Sequence, residues 1–192
     1  RDTLKLALKG KTDEVKFVFD EWVLRNPVAT TVPSDPGFNQ TDKKWFYRNI
    51  GLFDAWDQGM GDESIVIAVI DDSFDLSHKE LNGQYVKPWN VVEYSDNVNY
   101  ASGQTHGTHV AGTVSAKAQN GFGISGVAPD CKIMPLQISD AYGNMTLSAI
   151  LDGIFYALKN DANVINLSLG ADLAHLRGTS RDDQETIASS YG

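Results

Sequence analysis

IVIAVI, residues 65–70, followed at once by Asp71-Asp72-Ser73 and then by DLSH at residues 75–78, is the stretch whose reading decides the fold. Six apolar residues in a row have the length of a strand, and a strand buried on both faces of a parallel sheet needs no polar alternation. Working outward, HGTHVAGTVSA (residues 106–116) is small and apolar, with Thr105 as N-cap, and reads as a buried helix. KIMPLQI (residues 132–138) reads as the next strand. Leu147, Ile150, Leu151, Ile154, Phe155 and Leu158 then recur at helical spacing, the mark of an amphipathic helix. NVINLSL (residues 163–169) reads as a further buried strand. Strands alternating with helices predict an α/β fold: a doubly wound, mostly parallel sheet with helices on both faces and right-handed crossovers. Such sheets bind ligands at the carboxyl ends of their strands, which is where Asp71 stands.

The 192 residues suffice for one domain with its own core, and 42% apolar with 21% charged residues is ordinary for a globular protein. The net charge of -9 argues against nucleic acid or an anionic membrane as partner, since both demand a basic face. No apolar run approaches the length of a bilayer span. RDTLKLALKG at the start lacks a signal-peptide core, so a targeting segment is expected to be absent or already removed. Cys131 stands alone and excludes an internal disulfide. Residues 1–50 differ in texture from the rest. KFVFDEWVL (residues 16–24) reads as one strand, and PSDPGFNQ (residues 33–40) as a turn-rich linker.

Three readings compete for the acid pair after the first buried strand. Asp71 and Asp72 are ordinary capping or loop acids, or the opening acids of a phospho-receiver domain, or they include an orienting carboxylate for a catalytic histidine. The receiver reading needs a further Asp at a strand end about one βαβ unit later. The chain offers residues 106–116 there, without an Asp, and the receiver reading fails. His106 and His109 lie three apart and share one helical face, so a zinc site is a second use for them. Their Gly and Ala neighbours supply no further ligand.

HGTHVAG (residues 106–112), together with VIDDSFDLSH (residues 69–78), resembles the subtilisin/kexin-like serine proteases, the subtilases, in which the aspartate precedes the histidine. The resemblance continues at GVAP (residues 126–129) and VINLSLG (residues 164–170). Upstream, DPGF (residues 35–38), Trp45 and Asn49-Ile50-Gly51 resemble the segment leading into such domains. It implies the N-terminal part of a subtilisin-like peptidase domain over residues 33–192, its fold incomplete in this chain, with residues 1–32 a propeptide remnant or N-terminal extension of a zymogen that processes itself. It implies Asp71 and His106 as catalytic residues: His106 takes the serine proton and returns it to the leaving amine, while Asp71 holds the imidazole's tautomer. This chain has Asp72-Ser73 where the family has Ser-Gly or Thr-Gly. The register favours Asp71 as the partner of His106, and the second carboxylate is expected to raise the local anionic potential.

Gly178-Thr179-Ser180 imitates the family's nucleophile motif, but Arg181-Asp182-Asp183-Gln184-Glu185 follow where small apolar residues should begin a buried helix. The catalytic serine is therefore expected on a C-terminal chain of the same protein, separated by an internal cut and still docked. The alternatives are a truncated chain and a catalytically dead, subtilase-like binding module. By resemblance, a polypeptide substrate pairs in extended form with Gly143-Asn144-Met145 and Ser168-Leu169-Gly170. Leu147 and Leu169 border an apolar subsite, or else Leu147 is ordinary core. The loop at residues 118–124 resembles a structural Ca²⁺ site, implying ligands at Ala118, Asn120, Phe122 and Ile124, with Glu80 and Thr41 (or Gln40) completing the shell. The family also implies a secreted, periplasmic or cell-surface location.

Overall fold

A computed structural model describes residues 33–39, 45–99 and 103–170. The 1–32 extension, Gln40, Thr41, and the 171–192 tail with Ser180 lie outside these residues. Two short helices, α1 (Trp45–Asn49) and α2 (Leu52–Trp56), precede strand β1 (Val66–Asp71). Then follow β2 (Trp89–Asn90), helix α3 (His106–Ser115), β3 (Lys132–Gln137), helix α4 (Leu147–Lys159) and β4 (Val164–Leu167). All strand pairs are parallel, in the order β2-β3-β1-β4. Central β1 aligns Val66 with Lys132 and Asp71 with Gln137 on one side, and Ile67 with Val164 on the other.

The apolar run makes the centre of this sheet, as a strand covered on both sides requires. Ala68, Val69 and Ile70 are all fully buried. Ala68 and Ile70 pack with Met134, Leu136, Ile138 and the α4 residues Ala149 and Ala157. Val69 faces the other way, into a core with Ile133, Phe74, Leu81 and the α3 residues Val110 and Ala111. Helices therefore cover both faces, and the α/β, doubly wound architecture holds. The hand of the crossovers differs from expectation. The β2-α3-β3 and β3-α4-β4 connections move the same way across the sheet, yet α3 and α4 lie on opposite faces. They are necessarily of opposite hand, so one of them is left-handed. The usual preference belongs to a twisted strand feeding a compact crossover. A two-residue β2 reaching β3 through long loops imposes little of that constraint.

Helix α4 corrects a second expectation. Its inward row is Ala149, Gly153 and Ala157, all buried, while Leu147, Leu151, Phe155 and Leu158 point away from the sheet at 45–70% exposure. The small residues let the helix lie close. A Cβ on Gly153 would sit 3.2 Å from Ile70 Cγ2 and 3.3 Å from Ile138 Cγ2. Thr146 caps the helix, its Oγ1 accepting from Ala149 N at 3.2 Å. Strand β4, expected to be buried, is an edge among the described residues, with Val164 and Leu167 half exposed.

Residues 33–39 are not a linker. Asp35 is fully buried and accepts from the backbone N–H groups of Gln119, Asn120 and Gly121 and from Ser125 Oγ, at 2.8–3.0 Å. Gly37 N donates to Gly123 O at 2.8 Å. Burial would raise the Asp35 carboxyl pKa, but the bonds from Ser125 Oγ and the N–H groups of Gln119, Asn120 and Gly121 hold it below the ordinary range. Overpacking at the α4-sheet contact should be costly. Gly153→Leu is expected to lower the unfolding free energy by roughly 1–3 kcal/mol, read as a lower denaturant midpoint at unchanged slope.

Candidate active site

The carboxyl end of β1 delivers Asp71 and Asp72 side by side, and the two carboxylates do different jobs. Asp71 is fully buried, and its Oδ1 lies 2.7 Å from Nδ1 of His106, whose side chain is 55% exposed. The same oxygen accepts from Asp72 N at 2.8 Å. Burial raises the Asp71 carboxyl pKa, partly offset by the bond from His106 and the N–H of Asp72. The imidazole of His106 is raised in turn, first by the Asp71 hydrogen bond, because a carboxylate at that nitrogen favours imidazolium. With Nδ1 turned to Asp71, Nε2 is the nitrogen left for proton transfer.

Asp72 is not a second partner of the ring. Its carboxylate turns to the start of α3, accepting from His106 N at 3.1 Å and Gly107 N at 2.6 Å. Thr105, the expected N-cap, makes no side-chain cap bond. Gly107 permits the approach, since a Cβ there would meet Ser73 O at 2.6 Å and Asp72 Oδ1 at 3.0 Å. Ser139 Oγ lies 2.6 Å from Asp72 O and 2.7 Å from Gln104 Oε1, while Gln104 Nε2 donates to Asp140 O at 3.3 Å. The loop before His106 is thereby tied to the 140–144 turn.

A cleft of about 500 Å³ opens beside the pair, lined by His106, Met145, Leu147, Ile150, Ser168, Leu169 and Gly170. Five of the residues expected at substrate are therefore brought to the histidine. Leu147, 70% exposed, is a cleft wall and not core. Gly143 and Asn144 do not line it. They close a turn on Asp140, whose two carboxylate oxygens accept from Asn144 N and Nδ2, each at 2.9 Å. Ile150 was not singled out as a site residue, though it stands one helical turn from Leu147. A second cavity, of about 540 Å³, runs along His109 and Gly112 of α3 and the flanking Thr105 and Ala116 to His78 and Glu80, without reaching His106. His109 lines that cavity while His106 is held by Asp71, so the two histidines do not converge on zinc. Among the described residues no group of three or more His, Cys, Asp or Glu is arranged to hold a metal ion.

The 118–124 loop closes over Glu80. Glu80 Oε2 accepts from Asn120 Nδ2 at 3.0 Å, and Oε1 is buried with no partner among the described residues. Burial raises the Glu80 carboxyl pKa. A side chain on Gly123 would occupy the place of Glu80 Oε1. A buried carboxylate oxygen without a partner is a hard oxygen donor of the kind Ca²⁺ takes, so Glu80 could serve as a ligand. Asn120 Oδ1 accepts from Phe122 N at 2.8 Å, so Asn120 serves the loop and Glu80 in this arrangement. Asp35, also unanticipated, is the residue that shapes the loop.

Comparison with known proteins agrees with this geometry. The model of the subtilase family matches residues 62–191. The chain belongs to the subtilases. A thermophilic serine proteinase of Bacillus sp. (strain AK1) is 42% identical over 118 residues, covering 62% of this chain and 29% of that protein. Thermitase of Thermoactinomyces vulgaris is 34% identical over 143 residues, covering 74% and 50% respectively. Among solved structures, proteases from Pseudoalteromonas arctica PAMC 21717 align with a TM-score of 0.62 at 29% identity, over 73% of this chain and 51% of theirs. This subtilase chain thus spans half or less of the length of these two curated relatives. No helix among its described residues is long and apolar enough to cross a membrane.

If the Asp71 carboxylate is what raises His106, Asp71→Asn should lower the imidazole pKa. An NMR titration of the His106 ring should show the midpoint moving to lower pH, with the fold unchanged by circular dichroism.

Proposed function

We propose that this subtilase is the Asp- and His-bearing part of a serine endopeptidase, its third catalytic group a serine supplied from outside residues 33–170. The observation that carries the proposal is the 2.7 Å contact between buried Asp71 and His106 at the mouth of an apolar cleft. A serine hydroxyl is a weak nucleophile until a base removes its proton during attack on the carbonyl. His106 Nε2 is that base and then the acid that protonates the leaving amine. Asp71 fixes the tautomer and stabilises the transient imidazolium. A polypeptide lying along Met145 and Ser168-Leu169-Gly170 would place apolar side chains against Leu147, Ile150 and Leu169.

The serine-bearing C-terminal chain of the same protein would add sheet neighbours beyond β4 and cover the outward apolar row of α4. Exposed Val164 and Leu167 on β4 and exposed Leu151, Phe155 and Leu158 on α4 support that placement, since bare apolar surface of this extent invites a partner. Residues 1–32 would be a propeptide remnant of a secreted, self-processing zymogen. In the serine-bearing protein, His106→Ala is expected to lower kcat by about a million-fold and Asp71→Asn by about ten-thousand-fold, both with native circular dichroism. Unchanged peptide turnover in His106→Ala would end the triad reading.

Calcium is proposed as a structural cofactor. Glu80 would hold it, with backbone oxygens of Ala118, Phe122 and Ile124 and the side chains of Asn120 and Thr41, neutralising the buried carboxylate. Because binding to the folded state alone stabilises it by mass action, millimolar Ca²⁺ should raise Tm. Glu80→Gln should remove most of that gain. A Tm indifferent to both calcium and chelator would leave the loop without an ion.

A further inference from the structure

We propose that Asp72 is a positioning residue for His106, acting as the N-cap of α3 from another part of the chain and thereby setting the ring against Asp71. This inference rests on the endopeptidase reading of the same site. Three backbone N–H groups converge on the Asp72 carboxylate: Ser73 N and Gly107 N at 2.6 Å on Oδ1, and His106 N at 3.1 Å on Oδ2. Only 7% of Asp72 is exposed, and both of its oxygens accept from backbone N–H groups. The first N–H groups of a helix have no partner within it, and a side-chain oxygen usually comes from the residue just before. Thr105 holds that position, yet makes no such bond. The cap comes instead from the strand that also supplies Asp71.

The consequence is geometric and electrostatic. Asp71 and His106 stand on different elements, and Asp72 binds the backbone of the histidine itself. One carboxylate aligns the ring and its neighbour anchors the main chain that carries the ring. The Asp72 backbone is held as well, with Ser139 Oγ 2.6 Å from its carbonyl oxygen. The positive end of a helix dipole disfavours a cation on its first residue, and a carboxylate at that end cancels the effect. The charges acting on the His106 ring are those of Asp71 and Asp72, both of which favour imidazolium. The cleft side is lined by Met145, Leu147, Ile150 and Leu169 and brings no charge.

The test compares Asp72→Ala and Asp72→Asn in the serine-bearing protein, reading the His106 ring titration by NMR and kcat and KM on a peptide. Asp72→Ala loses both cap and charge, so the His106 midpoint should move to lower pH and kcat should fall about 10- to 100-fold, the loss expected of a misplaced catalytic group, at nearly constant KM. Asp72→Asn keeps an acceptor oxygen without the charge. It should regain most of kcat while its midpoint stays low. A purely structural residue would lower Tm and leave both midpoint and kcat, measured well below Tm, as in the wild type; that outcome overturns the assignment. If Asp72→Ala does not fold, Asp72→Asn decides alone, and an unmoved midpoint overturns it. Wild-type protein that hydrolyses no peptide yet shows these midpoint shifts would refute the endopeptidase reading and uphold the role of Asp72.

Discussion

The rest of the site depends on the junction between the end of β1 and the start of α3. Two acids stand at the end of this buried strand, and α3 supplies a donor to each carboxylate, although Asp71 Oδ2 has no partner among the described residues. Asp71 takes the imidazole and Asp72 takes the helix's first backbone N–H groups. Gly107 is required because the β1-β2 connection passes too close for a side chain. A burial cost that would weaken an isolated acid pair thus becomes the force that docks one element on another. The same docking fixes α3 on its face of the sheet, and with α4 on the opposite face the two crossovers cannot share one hand.

Packing on the other face follows a different logic. Helix α4 approaches the sheet through Ala149, Gly153 and Ala157, which leaves its larger apolar residues outside. One end of that outer row, Leu147, becomes a wall of the cleft beside His106, together with Ile150. A single helix therefore contributes to core, cleft and bare surface at once. Close approach through small residues makes this possible, because the tight contact leaves the large side chains free for other uses.

Around Glu80 the loop is shaped by backbone hydrogen bonds. Asp35 gathers the N–H groups of residues 119–121, and the loop then turns over a carboxylate whose second oxygen has no partner among the described residues. Lys79 Nζ, 4.2 Å above the Phe122 ring, adds a cation-π contact on the outside of the loop. Burial and the nearby Asp35 charge both raise the Glu80 carboxyl pKa. That is the electrostatic setting in which a bound cation would be favoured.

Much of this was legible in the residues. An unbroken apolar hexamer followed by Asp71 announces a central parallel strand, because period and length depend only on local chemistry. HGTHVAG announces the histidine at a helix start for the same reason, and the family followed from both. Periodicity did not tell which side of α4 faces the sheet. The apolar residues read from the sequence cover more than one face, and only the opposing surface of Ile70 and Ile138 selects the small row. The register after the strand favoured Asp71 as the partner of His106, but nothing in the sequence assigned Asp72 its place at the start of α3 or removed residues 33–39 from the linkers. A carboxylate's partners at positions 106, 107 or 119–121 are remote in sequence, and long-range hydrogen bonds leave no periodic trace. Sequence alone determined the strand, the histidine and their family. Tertiary structure decided which oxygen meets which donor, because that depends on distances between segments that local preference does not encode.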